Sequence, residues 1–449
     1  MSTSSPSGKQ QFAAGKSQAQ RARRPRRRNS RLSGWRGLLA RLLVMAVAGL
    51  FALLFGELAL RLAAPQQLVV VRPDIWVPDD TGLGWRMAAG LDTEVNTGEG
   101  EVRLVTDGQG FRIDPQAPPP ASDLLNPDPT RVLVLGDSFA AALQVEAADA
   151  FPELIRHQLT QRLERPVEVV NASCGGWGPS HYRLLLQQQV GAAREAGRPF
   201  DLALVAFFLG NDIEKVAVDR FPPRASSRAQ RGLHWPTEFS FRGIKGALLY
   251  PLNDALEQRS HLYQLFKKGS WQLLMRVGLS ARRVAATDLA RNLEDPRWEL
   301  TAEVLAEMQR FAAGEELPLL VALIPSAVHT DPDLATAYAG SVGLEIGPEG
   351  LQPGQARERV SRLLTERGVP FVDATEALRR QQSSGDLTHG RVDTHLSPAG
   401  HRGLRDVVMP TIEGLIQQRT EGADVSDAGS SGTDSSSTGS LSSAPAEAS

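Results

Sequence analysis

The chain has 449 residues, with 49 Lys and Arg against 51 Asp and Glu, for a formal net charge of −2. At 41% hydrophobic and 22% charged residues it is neither collagen-like nor wholly disordered, and its length allows two or three domains with a sizeable core. A single cysteine excludes a disulfide framework and a multi-cysteine metal cluster.

The near-neutral total conceals a polarised molecule. Residues 1–41 hold eleven Lys and Arg and no acid, which leaves 38 bases against 51 acids after Arg41, a net −13. The basic arm, residues 1–37, is densest from Arg21 to Arg31 and reads as a disordered segment. No aromatic residue interleaves with those arginines before Trp35, which argues against a nucleic-acid partner. The arm runs into Leu42–Gly56, fifteen uncharged residues, and then into a stretch toward Ala64 whose charges are Glu57 and Arg61. At about 1.5 Å per residue, residues 38–62 can span a hydrocarbon core of roughly 30 Å. Glu57 and Arg61 stand four apart, close enough to pair on one helix face. The positive-inside rule places residues 1–37 in the cytoplasm and everything after the helix in the periplasm or outside the cell. A cleavable signal peptide is the rival reading. Leu62-Ala63-Ala64 is a poor cleavage site, the segment before the apolar run is unusually long, and no cysteine follows for a lipid anchor.

Residues 65–128 carry Pro, Gly and short alternating runs such as Glu101 to Val105, the pattern of a small β-rich preface. A main domain is expected over 129–418. Val132–Leu135, Val167–Val170, Leu202–Phe208, residues 317–324 and Val369–Val372 are short apolar strands. Helical periodicity separates them, with Phe151, Leu154, Ile155, Leu159 and Leu163 on one face of the first helix. The alternation predicts an α/β fold, a parallel sheet with helices on both faces. Residues 213–297 are the exception: Arg-rich, with Trp235, Phe239, Phe241, Tyr250 and Trp271, they read as a largely helical insertion. Residues 419–449, rich in Ser, Gly and acids, read as a disordered tail.

In open α/β sheets ligands gather at the carboxyl ends of strands, where four polar clusters are expected to fall. They are Gly136-Asp137-Ser138-Phe139, then Asn171 to Gly178, then Gly210-Asn211-Asp212, and after the fifth strand Asp393 to Pro398. A serine hydrolase needs a hydroxyl on a tight turn, an imidazole to take its proton, a carboxylate to orient that imidazole, and donors facing the oxyanion. Ser138 is the candidate nucleophile, His395 the base and Asp393 its orienter. The Ser138 and Gly176 N–H groups and the Asn211 carboxamide are the candidate oxyanion donors. Asp137 reads as a turn carboxylate, Asp212 as a cap or a solvated side chain, His401 as structural and Cys174 as a small buried hydrophobe. His181, His234, His261 and His329 lack metal-ligand spacing, and no phosphate-binding glycine loop follows the first strand, so neither metal nor cofactor is expected.

The four blocks in this order resemble the SGNH (GDSL-type) hydrolase family over roughly Arg131 to Ile416, the insertion excluded. Ser138, Gly176, Asn211 and His395 correspond to the letters of the family's name. Leu83-Gly84-Trp85-Arg86 and Gly110-Phe111-Arg112 look like the lead-in of membrane-anchored bacterial members. The resemblance implies a flavodoxin-like three-layer α/β/α domain and an esterase working through an acyl-enzyme, with acetylated cell-surface glycans or lipids as substrates. Two departures stand out. Phe139 replaces the Leu of the usual motif, and Asp393 and His395 are separated by one residue where many members have two. The shorter spacing resembles that of polysaccharide O-acetyltransferase-like proteins, so acyl transfer to a sugar is an alternative outcome. A catalytically silent glycan-binding module is another.

Overall fold

The computed structural model describes residues 35–66, 75–117, 129–216, 248–276, 293–341, 345–347, 352–390 and 393–430. The chain divides at Leu58 into two compact units, Met1–Leu58 and Ala59–Ser449. The first unit contributes most of a 29-residue helix, Trp35–Ala63, in which no residue is buried. Leu50, Phe51, Leu53 and Leu54 step around its circumference and are all more than half exposed. A helix apolar on every face has no side to turn to water. By length and composition it is able to cross a membrane. The arm before residue 35 lies outside the described residues.

The second unit opens with two antiparallel hairpins. Strand β1 (Trp76–Asp79) pairs with β2 (Gly84–Met87), and β3 (Asp92–Asn96) with β4 (Glu101–Val105). Alternation is clearest in β4, where Val102 and Leu104 are buried and Glu101 and Arg103 exposed. The central sheet follows: β5 (Thr130–Gly136), β6 (Val167–Ser173), β7 (Leu202–Phe208), β8 (Leu319–Ile324) and β9 (Phe371–Asp373), in the order β6-β5-β7-β8-β9 and parallel throughout. Every residue of β5, β7 and β8 is buried. Continuous apolar runs are what strands covered on both faces require.

The two faces carry separate cores. Leu133 and Leu135 pack with the preface residues Trp85, Met87 and Leu104 and with Trp298 and Leu305 of the helix Arg297–Gly314. Val132 and Val134 pack with Phe151, Ile155 and Leu159 of the helix Phe151–Leu163 and with Leu404 and Val408 of the last helix, Pro398–Ser430. The result is a three-layer α/β/α domain with flavodoxin-like strand order. That order reverses direction between β5 and β7, where such sheets open a crevice for ligands.

The insertion's described parts are helical, at Asp212–Lys215, Tyr250–Arg259 and His261–Arg276, while Trp235, Phe239 and Phe241 lie outside the described residues. Two readings of the sequence differ from the structure. The last helix continues to Ser430, twelve residues past 418, with no proline between Pro410 and its end to block its backbone bonding. The Asp393 block does not follow β9 directly. The helix Thr375–Ser383 intervenes, and the loop beyond it is closed by a bridge between His389 and Leu396.

Candidate active site

At the end of β5 the chain turns sharply. Asp137 caps the four-residue helix Ser138–Ala141, its Oδ1 accepting the Phe139 N–H at 2.9 Å. Ala142 ends that helix in the left-handed region, at φ 51°. Ser138 therefore sits at the first position of a helix, where backbone N–H groups lack intrahelical partners. The turn is held from the preface. Arg112, buried, donates to the carbonyls of Ala141 at 3.0 Å, Val145 at 2.7 Å and Ala142. Burial lowers its pKa to about 10, which still leaves it cationic at neutral pH.

Ser138, His395 and Asp393 meet although 257 residues separate the first two. Ser138 Oγ lies 2.7 Å from His395 Nε2, and His395 Nδ1 is hydrogen-bonded to Asp393 Oδ1. Burial by itself raises the Asp393 pKa, but hydrogen bonds from His395 and Gln144 outweigh it and hold the carboxyl below its ordinary value. The Gln144 Nε2 donates to Asp393 Oδ2 at 3.0 Å. The His395 ring also lies 4.6 Å, centre to centre, from Phe139, which stacks on Phe208 at 3.7 Å. The phenylalanine in the first block thus forms a wall between the sheet and the imidazole.

Gly176 follows β6 at φ 90°. The Trp177 N–H returns to the Cys174 carbonyl at 3.2 Å, closing a turn whose third residue is Gly176, the position that favours glycine. The preface braces this turn too. Trp85 Nε1 donates to the Gly175 carbonyl at 3.0 Å, and Trp177 Nε1 donates to the Trp85 carbonyl at 3.0 Å. A Cβ on Gly175 would come within 2.9 Å of the Trp76 ring. Asn211 follows β7, and its backbone carbonyl accepts the Lys215 N–H at 3.1 Å. Its side-chain oxygen is buried without a hydrogen-bond partner among the described residues.

Asp212 is neither solvated nor a helix cap. It is fully buried, accepts the Phe208 N–H at 2.9 Å and receives the Tyr182 hydroxyl at 3.1 Å. Burial, and then the nearby Asp137 charge, push its pKa well above the carboxylate range. Lys215 Nζ stands 3.8 Å from Asp137 Oδ2. His401 is buried and its Nδ1 accepts the Phe151 N–H at 3.3 Å. Cys174 is buried, and desolvation raises its thiol pKa, which disfavours the thiolate. No three His, Cys, Asp or Glu side chains among the described residues come together as a metal-holding group.

Sequence reasoning missed Arg112, Gln144 and Trp85 as parts of this site. Arg112 and Trp85 stood in the lead-in segments, but their targets are backbone carbonyls far along the chain, which leave no trace in residue type.

No protein-family model and no curated protein sequence matches the chain. Solved structures do. A lipolytic protein of the G-D-S-L family from Veillonella parvula is 9% identical, covers 63% of this chain and 97% of its own, and gives a TM-score of 0.32. A lipase/acylhydrolase from Enterococcus faecalis is 12% identical over 64% of this chain and 96% of its own, with a TM-score of 0.34. An acetyl xylan esterase is 10% identical over 63% of this chain and 99% of its own, also with a TM-score of 0.34. These likenesses are remote. What the chain shares with SGNH (GDSL-type) hydrolases in its own residues is the four blocks, set around a parallel sheet of flavodoxin-like order.

Proposed function

We propose that this chain is a serine esterase tethered to a membrane by the helix Trp35–Ala63, with its sheet domain on the periplasmic or extracellular side. The observation that carries the reading is the line Ser138–His395–Asp393, with 2.7 Å between Oγ and Nε2. In it His395 Nε2 takes the Ser138 proton as Oγ attacks an ester carbonyl. Asp393, ionised and held by Gln144, keeps the other ring nitrogen protonated and offsets the charge that the imidazolium gains. The Ser138 and Gly176 N–H groups and the Asn211 carboxamide receive the oxyanion; each such donor is commonly worth about 3 kcal/mol of barrier. The alkoxide leaves with the proton from His395, and water, deprotonated in turn by His395, releases the acid and restores Ser138.

In its oxyanion role Asn211 donates from its side-chain Nδ2, while its side-chain oxygen is buried without a hydrogen-bond partner among the described residues. The intact relay favours catalysis over a silent binding module. Acetyl esters on cell-surface glycans are the first substrates to try, followed by lipid acyl esters. The test is hydrolysis of p-nitrophenyl acetate by the full chain in detergent. Wild type turns over, and Ser138→Ala falls to the uncatalysed rate. Equal rates for the two proteins would end the serine reading. Supplying an oligosaccharide acceptor and weighing it by mass spectrometry separates hydrolysis from acyl transfer.

A further inference from the structure

The hairpin β3–β4 lies outside the parallel sheet, yet its turn reaches the relay. Glu99, in that turn, accepts the backbone N–H of Asp393 on Oε1 at 2.8 Å, across 294 residues of chain. The fit is close. A Cβ on Gly390 would come within 2.3 Å of the Asp393 carbonyl oxygen, so the backbone there has room only for glycine, and the same Cβ would lie 2.6 Å from the Glu99 Oε1. The turn itself is fixed: Asn96, 8% exposed, accepts the Gly98 N–H on its side chain at 2.8 Å. On its other side the Asp393 loop is closed by the Gly390 N–H on the His395 carbonyl at 2.9 Å.

We propose that Glu99 is a positioning residue for the relay, acting through Asp393; the proposal rests on the esterase reading above. Asp393 comes from a loop and not from a strand end, so its backbone has no sheet ladder to fix it. Its carboxylate must meet His395 Nδ1 on one side and Gln144 on the other, and a shift of its backbone moves both contacts. A negatively charged acceptor on the Asp393 N–H is a strong tether for that backbone. Catalytic groups displaced by about 1 Å commonly lose on the order of a hundredfold in rate. The preface is thereby a working part of the site.

The experiment uses the full chain in detergent with p-nitrophenyl acetate, rates being divided by the amount of folded protein measured by circular dichroism. Glu99→Ala is expected to lower kcat at least tenfold with KM changed less than twofold. Glu99→Gln, whose side-chain oxygen accepts the same N–H, is expected to stay within about threefold of wild type. In an Asp393→Ala background, Glu99→Ala should cost nothing further, because the group it positions is gone. An unchanged kcat in Glu99→Ala overturns the proposal, as does Glu99→Gln being as impaired as Glu99→Ala. So does a Glu99→Ala loss that multiplies with that of Asp393→Ala. If wild type itself does not turn over, it is the esterase reading that fails, a result separate from any of these.

Discussion

At the scale of single residues, the proposed chemistry depends on which nitrogen of His395 carries the proton. Asp393 settles that by accepting from Nδ1, which leaves Nε2 to accept from Ser138. Asp393→Asn preserves shape but presents the wrong donor pattern, and kcat should fall on the order of 10⁴-fold with little change in thermal stability. Steady-state kinetics beside a melting curve check this; a near-normal rate would point to another carboxylate. Ser138, His395 and Asp393 were legible in the sequence because each is a chemically distinctive residue in a polar cluster. Glu99 and Gln144 were not. A Glu in a hairpin turn and a Gln after a short helix are unremarkable types, and their roles exist only once 294 and 249 residues of chain have folded back on them. Asp212 misled for a related reason. Its neighbours Asn211 and Glu214 are polar, and nothing local reveals that Tyr182 closes over it.

At the scale of elements, the preface hairpins and the sheet loops hold one another. Arg112 ties three carbonyls of the turn that presents Ser138, and burial leaves those carbonyls without water if the guanidinium is removed. Arg112→Met should destabilise the protein by about 3 kcal/mol or more. Urea unfolding of the full chain in detergent measures it, and an unchanged midpoint would show that the clamp is idle. Gly176→Ala tests the adjacent turn. At φ 90° a Cβ is strained, and it would meet Trp85 at 3.4 Å. Activity should drop more than tenfold as the turn's N–H moves off target, the scale on which lost oxyanion donors act; an unchanged kcat would exclude that N–H from the site. The parallel strands were readable because β7 and β8 are buried and apolar over their whole length, and β5 is so from Val132 onward. The four-residue helix at Ser138 was not, being too short to show a period and ended by a left-handed alanine that no turn residue announces. The helix Thr375–Ser383 was likewise hidden, because its mostly polar face resembles loop composition.

At the scale of the whole molecule, charge and burial make two further expectations. The proposed orientation puts the eleven bases of residues 1–41 on the cytoplasmic side of the helix. Alkaline phosphatase fused after Ala64 should be active and membrane-bound, and an inactive fusion would reverse the orientation. Acid stability follows from buried histidines. Burial lowers the pKa of His329 and His389 to about 4 and of His401 to about 3, against about 6.5 when unfolded. The unfolded chain therefore binds more protons below pH 6.5. Stability is full above that value and is lost as pH falls toward the folded values. His401→Asn keeps an acceptor for the Phe151 N–H and removes one titration. Between pH 6 and pH 4 its stability should fall less steeply than wild type, by about 1.4 kcal/mol per pH unit. Parallel slopes in urea titrations would mean that His401 does not stay neutral when folded.

The central claim, that Ser138 is the nucleophile made reactive by His395, is tested most directly by peptide mapping of the full chain after exposure to a fluorophosphonate. Wild type should carry one phosphonyl group on the peptide containing Ser138, and His395→Ala should lose it although the serine remains. An adduct on a different residue, or undiminished labelling of Ser138 in His395→Ala, would contradict the claim.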